Sequence, residues 1–415
     1  MIPLSPYRTS DTLPKLISHL PATASSPLSP PASSDHCDGR GAPTMPTVVH
    51  LRAETKPLER RSPLSPETAK ALIQAGYLVR VERSADRIYN DEEFEAAGAE
   101  LIPAGSWLKA PTQDIILGLK ELPDDDIPLP HTYIHFQHIF KRQHGWAPSL
   151  SRFARSGGTL YDLEFLTDET GRRVAAFGYW AGYAGVAIAL LSWAHQVLHP
   201  GATQGPVPVF DTAPALAQYV KSAIEPAIEA NGGKQPRTIV IGALGRCGKG
   251  AVDFCLDVGL AQDSILKWDM AETARGGPFA EIAESDLFIN CVYLGPTATP
   301  PFVTFESLSA PGRRLRVICD ISCDPNSENN PIPVYSSYSS FDNPTIPTSK
   351  KLDGHEVRIV AIDHLPTLVA RESSDEYSRL LLPSLLTLDR QESEGVWKRA
   401  KQTYLDRVND LPKST

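Results

Sequence analysis

The chain is poor in sulfur and has no surplus of positive charge. Its 415 residues include six cysteines and three methionines. The cysteines are Cys37, Cys247, Cys255, Cys291, Cys319 and Cys323, with no metal-type C-x-x-C pair among them. A reduced, intracellular protein is therefore the default. Cys319 and Cys323 stand four apart around Asp320, but two ligands do not make a zinc site, and no metal is expected. Lys and Arg (40) are outnumbered by Asp and Glu (49), for a net charge of -9. That balance argues against bulk electrostatic binding to nucleic acid or an anionic membrane. The first 44 residues lack the apolar core of a secretory signal and have too few arginines for a transit peptide.

Long hydrophobic runs are also scarce. Val174 to Ala194 is an uncharged stretch of 21 residues, long enough to span a bilayer. Gly178 and Gly182 even share the G-x-x-x-G spacing of membrane helix pairs. The run stands alone, however, and its Leu, Ile and Val content is modest. A buried soluble helix is expected, with small residues that let it pass close to another helix or to a bound cofactor. No membrane role is expected.

What is present is an α/β pattern. Residues 1–44 hold eight prolines and eight serines and read as a disordered extension. From Pro46 onward, strand and helix patterns alternate, which implies parallel sheets with covered faces. Strands are expected at Val48–Leu51, Tyr77–Glu82, Asp114–Leu119, Thr132–Phe136 and Thr159–Asp162. After the apolar helix they resume at Thr238–Ile241, Leu287–Cys291, Arg316–Asp320 and Val357–Ile362. Helices are expected at Ser65–Ala75, Asp91–Ala97, Ser374–Leu382 and Gly395–Val408. The expected fold is two Rossmann-like, doubly wound parallel-sheet domains with a cleft between them. Residues 45–177, completed by 364–415, would form a substrate domain, and 178–363 a nucleotide domain.

The stretch Thr238 to Asp269 is the most specific local signal. A β-branched run enters a turn carrying Gly242, Gly245 and Gly248, a helix pattern follows, and a second strand ends in Asp269, 24 residues beyond Gly245. The glycines let the backbone approach a pyrophosphate, and a helix N-terminus supplies N–H donors. An acid at that distance accepts hydrogen bonds from an adenosine ribose, which favours NAD over NADP. The spacing is G-x-x-G-x-x-G rather than the commoner G-x-G-x-x-G. A glycine turn closing an ordinary βαβ unit is the bland alternative.

In open α/β sheets ligands collect at the carboxyl ends of strands. Lys120, His138, Asp269, Cys291, Asp320 and Asp363 all fall at or just past such ends. A lysine ending a buried strand is partly desolvated and suits a proton acceptor or an imine former; a surface lysine that snorkels is the plainer reading. His138 could shuttle a proton near neutral pH or be an ordinary core histidine. In extended chain Ile134, Phe136 and His138 share one face and His135 the other, so these histidines would not converge on a metal. Arginine forks in the pairs Arg60–Arg61 and Arg172–Arg173 suit a carboxylate substrate, although surface arginines are common.

Taken together, these pieces resemble the fungal NAD-dependent, L-lysine-forming saccharopine dehydrogenases, over about Thr47 to Val408. The words that carry the resemblance are L-R-A-E-T-K-P-L-E (51–59), P-A-G-S-W (103–107), G-L-K-E (118–121), T-L-Y-D-L-E-F (159–165) and G-R-R-V-A-A-F-G (171–178). They continue with I-G-A-L-G-R-C-G (241–248), K-W-D (267–269), T-A-R-G-G-P-F (273–279), F-I-N-C-V-Y (288–293) and I-D-H-L-P (362–366). More distantly, the architecture looks like alanine dehydrogenase and the transhydrogenase NAD-binding unit.

The resemblance implies conversion of L-saccharopine, NAD and water to L-lysine, 2-oxoglutarate and NADH. It implies Lys120 as base on the secondary amine and His138 as acid–base for imine hydrolysis, with Glu121 and Glu164 tuning the pair. Saccharopine carries three carboxylates, which gives Arg61, Arg173 and Arg172 a use. Gln143, Phe177, Ser322, Cys323 and Asp324 match the substrate pocket, beside Lys120. Arg172, Gly245, Arg246, Asp269, Thr273, Tyr293, Ile321, Ile362, Asp363, His364 and Leu365 match positions on the cofactor side. Cys247 and Cys291 match positions that can pair as a disulfide in the family, though a reducing compartment should keep them as thiols. Ser62-Pro63 after Arg61 departs from the family pattern and bears on where Arg61 sits. The chain ends Lys413-Ser414-Thr415 rather than Ser-Lys-Leu, so cytoplasm is expected rather than peroxisome. The expected assembly is a monomer. An alanine-dehydrogenase-like amino-acid oxidoreductase is the alternative activity.

Overall fold

A computed structural model describes residues 45–142, 145–293, 299–323, 325 and 329–412. The first sheet holds β1 (Val48–Leu51), β2 (Leu78–Glu82), β3 (Glu100–Ile102), β4 (Ile115–Leu117), β5 (Thr132–His135) and β6 (Thr159–Asp162). Its order is β3-β2-β1-β4-β5-β6, and its pairings are parallel. The second sheet holds β7 (Thr238–Ile241), β8 (Ile265–Trp268), β9 (Leu287–Asn290), β10 (Val317–Asp320), β11 (Ile346–Pro347) and β12 (Arg358–Val360). Its order is β11-β12-β10-β9-β7-β8, with β11 antiparallel at the edge. Strand order reverses between β1 and β4 in the first sheet and between β7 and β9 in the second. Each reversal opens a crevice at the strands' carboxyl ends.

Helices cover both sheets. The longer ones are α1 (Pro66–Gln74), α2 (Asp91–Ala96), α3 (Trp146–Arg155), α4 (Gly178–Leu198), α5 (Ala213–Ala230) and α6 (Arg246–Asp257). Three one-turn helices follow, α7 (Met270–Thr273), α8 (Ala280–Ala283) and α9 (Phe305–Leu308), and then α10 (Ala370–Leu385) and α11 (Gly395–Asn409). Strands β7, β9 and β10 are buried along their whole length, as parallel strands with two covered faces must be. Val240, Ile289, Val317 and Cys319 face a core shared with α4, α5 and α6, while Ile239, Ile241, Phe288 and Ile318 face another with Phe279 and Leu308. In the first sheet, Val49, Leu117 and Ile134 pack with Tyr377 and Trp397 from α10 and α11. Residues after 370 thus cover the sheet made by residues 48–162.

Helix α4 is the apolar run expected from Val174, begun four residues later. Glycines let it lie against α6. A Cβ on Gly182 would stand 1.9 Å from the Cys247 carbonyl oxygen, and one on Gly250 would stand 1.9 Å from that of Tyr179. Of its most apolar window, 72% is buried. Helices α3 and α5 are not among the expected elements, although α5 has legible signals. Thr212 caps it, and Leu216, Val220, Ile224 and Ala227 form its buried stripe. Strand β3 is three residues long, too short to carry a periodic signal. The expected disordered extension lies outside the described residues.

Candidate active site

The carboxyl edges of the two sheets face each other, and charged side chains from both meet there. Lys120 follows β4 and is 5% exposed. Its Nζ lies 3.6 Å from Asp363, which follows β12 on the opposite sheet. Lys56, from the loop after β1, reaches the same Asp363 oxygen at 3.6 Å and Glu121 at 3.8 Å. Glu121 lies 3.6 Å from His138 Nε2, and Glu164 lies 3.5 Å from Nδ1 of the same ring. Lys141 sits 2.9 Å from Glu164, and Arg173 3.9 Å from it. Positive and negative groups therefore alternate from Asp363 through Lys56, Glu121, His138 and Glu164 to Lys141. Each neighbour offsets part of the desolvation of the next.

His138 does not continue the β5 strand. Its φ is 61°, in the left-handed region, so the face alternation expected for extended chain ends before it. Asp162, at the end of β6, accepts the Gln137 and His138 backbone N–H groups at 3.1 Å each, which holds the turn. The imidazole stacks on Phe136 with ring centres 5.9 Å apart. Burial opposes a charge on His138, but the adjacent Glu164 and Glu121 carboxylates outweigh it and hold the ring's pKa above the ordinary value. Burial works against ionised Glu164 too, yet His138 and Lys141 bring it down to about 2. Desolvation also raises Asp363, whose side chain is half exposed, but Lys120 and Lys56 bring it to about 2. Asp162, fully buried, is lifted to about 6 by desolvation. His135 is driven down to about 3 by burial and by Arg52, and so is a neutral core histidine.

The nucleotide edge is built from backbone. Gly242 has φ +87°, which a side chain would strain. A Cβ on Gly248 would fall 2.2 Å from the Gly242 carbonyl oxygen, so α6 is packed directly on the loop. Gly245, the N-cap of α6, faces nothing nearer than 3.4 Å. The space above the loop suits a pyrophosphate, and the first N–H groups of α6 point toward it. Asp269 ends β8 beside this loop and accepts the Leu244 N–H at 3.0 Å and the Met270 N–H at 2.9 Å. These residues fit an NAD molecule laid across the β7–β9 crevice. Thr273 donates its hydroxyl to the Asp269 carbonyl at 2.8 Å, which leaves the oxygen's lone pairs to accept from a ligand.

Several assigned residues are placed differently from expectation. Arg61 is 5% exposed, and Glu59 takes its Nε at 2.8 Å and its Nη2 at 2.6 Å. Its face lies over Phe177 at 4.5 Å, which in turn stacks on Tyr377 at 4.1 Å. A substrate carboxylate would meet an arginine already paired, with Nη1 outside the Glu59 fork. Arg172 is exposed in a turn closed by Asp168 and does not join the charged row. Arg173 does reach it, and it also covers Tyr293 at 5.7 Å. Ile362 and Leu365 are each 1% exposed, with side chains in the core, so only their backbone could line a cofactor. Asp363, assigned to the cofactor side, points at the two lysines. His364 is half-buried against Phe341. Ile321 packs against Gly185.

Asp320 is not a cleft group. It is fully buried, with Asn290 at 2.9 Å and Tyr335 at 2.5 Å. Ser322 donates its hydroxyl to the Val292 carbonyl, and Cys323 has a φ of 49°. Gln143 and Asp324 lie outside the described residues. Cys247 and Cys291 are unbridged thiols side by side, and burial together with Cys247 pushes the Cys291 thiol well up. Among the described residues no metal-type cluster occurs. A cavity of about 270 Å³, lined by Arg316, His355 and Arg358, opens at the amino ends of β10 and β12, away from this chemistry.

Lys56, Glu59, Lys141 and Asp162 were not assigned from sequence. Lys56 and Glu59 stand inside the 51–59 word, so a signal existed. Asp162 likewise stands inside the 159–165 word, whereas Lys141 matters only through the turn that brings it beside His138.

Residues 50–184 match the family "Alanine dehydrogenase/PNT, N-terminal domain". A protein of Neurospora crassa described as "Saccharopine dehydrogenase [NAD(+), L-lysine-forming]" is 52% identical over 369 residues, covering 89% of this chain and 98% of that one. A Schizosaccharomyces pombe protein of the same description is 50% identical over 362 residues, covering 87% and 98%. The rat protein "Alpha-aminoadipic semialdehyde synthase, mitochondrial" is 32% identical over 155 residues, only 16% of its length. Among solved structures, an L-alanine dehydrogenase superposes with a TM-score of 0.63 at 16% identity, over 88% of this chain and all of that one. A transhydrogenase from Sinorhizobium meliloti reaches 0.58 at 18% identity, over 85% and 97%. These two show a shared fold.

Proposed function

The chain belongs to the NAD-dependent, L-lysine-forming saccharopine dehydrogenases, and from that premise we propose how its cleft divides the work. The enzyme is an oxidoreductase acting on a CH–NH donor. It interconverts L-saccharopine and water with L-lysine and 2-oxoglutarate, using NAD. The observation that carries the site reading is the alternating charged row, opposite a glycine loop with no side chain in the way.

When bound, NAD supplies the acceptor for the hydride. Everything else falls to the chain's own residues. Lys120 takes the proton from the secondary amine, so that the nitrogen lone pair can drive hydride loss from the adjacent carbon. The product of that step is a substrate imine. His138, held between Glu121 and Glu164, takes a proton from water as it adds to the imine carbon. It then gives that proton to the carbinolamine nitrogen; the C–N bond breaks as the hydroxyl passes its proton back to His138, leaving the ketone of 2-oxoglutarate and the side-chain amine of L-lysine. Asp363 and Lys56 keep the charge around Lys120 balanced while the proton moves. Arg173, with the free edge of Arg61, supplies the fork for substrate carboxylates. Gly245, Arg246 and Asp269 would hold the pyrophosphate and the adenosine ribose. The cellular role we propose is the closing reaction of lysine biosynthesis, in the cytoplasm, by a monomer. The low cysteine content supports that compartment.

The test is loss of NADH absorbance with purified protein. Oxidation that requires both L-lysine and 2-oxoglutarate is expected. No oxidation with that pair, together with turnover of pyruvate and ammonia, would instead select an alanine-dehydrogenase-like activity.

A further inference from the structure

Lys120 lies beyond the last ladder position of β4, which ends at Leu117. Neighbouring strands still hold Gly118 and Leu119, through Gly118 N–H to Ile134 and Phe136 N–H to the Leu119 carbonyl, at 2.9 Å each. At Lys120 the backbone is held by side chains instead. Glu54 Oε1 accepts the Leu119 N–H at 2.7 Å, and Oε2 accepts the Lys120 N–H at 3.0 Å. Arg52 donates from Nη2 to the Lys120 carbonyl. The same Nη2 lies 3.2 Å from Glu54 Oε2, which closes the ring.

Both partners are buried, with side-chain exposures of 1% for Arg52 and 9% for Glu54. Both come from the loop after β1, at the point where strand order reverses. Gly118 makes the arrangement fit, because a Cβ there would stand 2.3 Å from Arg52 Nε. The G-L-K-E word therefore needs its glycine for a guanidinium, not for a turn. A buried ion pair is weak evidence of stability, since desolvation cancels much of its attraction. Here it satisfies both polar groups of one peptide residue, the one whose side chain meets Asp363.

We propose that Arg52 and Glu54 are positioning residues for Lys120, clamping its backbone so that Nζ is held on the reacting amine. The proposal rests on the assignment of Lys120 as base. A misplacement of about 1 Å at a reacting group costs on the order of 10²-fold in rate, so a loosened clamp has a kinetic signature.

The experiment is a double-mutant cycle in the full chain, reading NADH oxidation with L-lysine and 2-oxoglutarate. Lys120→Met comes first. If the wild type turns over and Lys120→Met is not slowed, the Lys120 assignment itself falls. If Lys120→Met is slow, Glu54→Gln is compared alone and in that background. Alone, it should lower kcat about 10- to 100-fold, with NADH affinity unchanged. Added to Lys120→Met, it should cost nothing further, because its effect passes through the missing amine. Wild-type kcat for Glu54→Gln overturns the clamp, as does a loss that multiplies onto Lys120→Met. Should Glu54→Gln fail to fold, Arg52→Lys is read in the same cycle, since an ammonium cannot fork between Glu54 and the Lys120 carbonyl. Failure of both to fold assigns the pair to structure alone and also overturns the proposal.

Discussion

The two carboxyl edges that meet in the cleft are built from opposite materials. On the first sheet, function sits in long charged side chains: Lys120, His138, Glu121 and Glu164, each within 4 Å of an opposite charge. On the second it sits in backbone, where Gly242 and Gly248 remove side chains so that α6 and the β7 loop come together. Charged groups near the first edge hold one another in usable protonation states. The second edge offers fixed N–H dipoles that do not titrate. The lesson is that the same topology serves proton transfer or nucleotide binding according to what ends its strands.

Substitutions can break or sharpen that contrast. The largest effect is expected from Lys120→Met, which should slow the hydride step by roughly 10²- to 10⁴-fold, the usual scale for a general base. Single-turnover NADH formation from saccharopine measures it, and a near-normal rate would remove Lys120 from the mechanism. On the second edge, Gly248→Ala forces a Cβ to within 2.2 Å of the Gly242 carbonyl. A loss of about 1–3 kcal/mol is expected, seen as a lower melting temperature and weaker NADH binding. An unchanged melting curve would mean that the loop is less tightly packed than described.

Asp269→Ala should weaken NAD about tenfold, or about 1.4 kcal/mol, and narrow the preference for NAD over NADP. Because Asp269 also holds the Leu244 N–H, the decisive quantity is the ratio of the two affinities. A ratio equal to that of the wild type would deny the ribose contact.

The smallest effect is expected from Glu164→Gln. Glu164 raises His138, so its loss should move the His138 limb of the pH–rate profile to lower pH. A limb that stays put would separate the two residues. Stability should change in the same variant. The folded Glu164 lies at about 2, below its ordinary 4.5. Its contribution is therefore full above the ordinary value and is lost as pH falls through about 2. The variant should be less stable at neutral pH and less pH-dependent through the acid window, as followed by denaturant unfolding. His138 has the opposite sign. Its raised pKa contributes stability below the ordinary 6.5, and that contribution is lost as pH rises through the folded value.

Much of this contrast was legible before any coordinates. The strand–glycine–helix–strand–acid order placed Gly245 and Asp269 just past the ends of neighbouring strands, because a βαβ crossover brings parallel strands side by side. Lys120 and His138 stood out as polar residues ending apolar runs. Other residues resisted. Arg61 read as a free fork, but Glu59, two residues away, folds back to take it. Ile362 and Leu365 read as cofactor contacts, but each is buried in the core. Asp320 read as a strand-end acid like Asp363. It is enclosed by Asn290 and Tyr335, whereas Asp363 meets two lysines.

The sequence by itself determined the local events. Apolar periodicity, glycine placement and capping act over a few residues, and they set where strands end and where backbone can approach a ligand. Only the tertiary structure decided which charges meet. Lys120 and Asp363 are 243 positions apart in the chain and 3.6 Å apart in space. Arg52 and Glu54 meet the Lys120 backbone only because β1 and β4 pair at the point where strand order reverses. Protonation states follow from desolvation and from partners within a few ångströms, and chain proximity encodes neither.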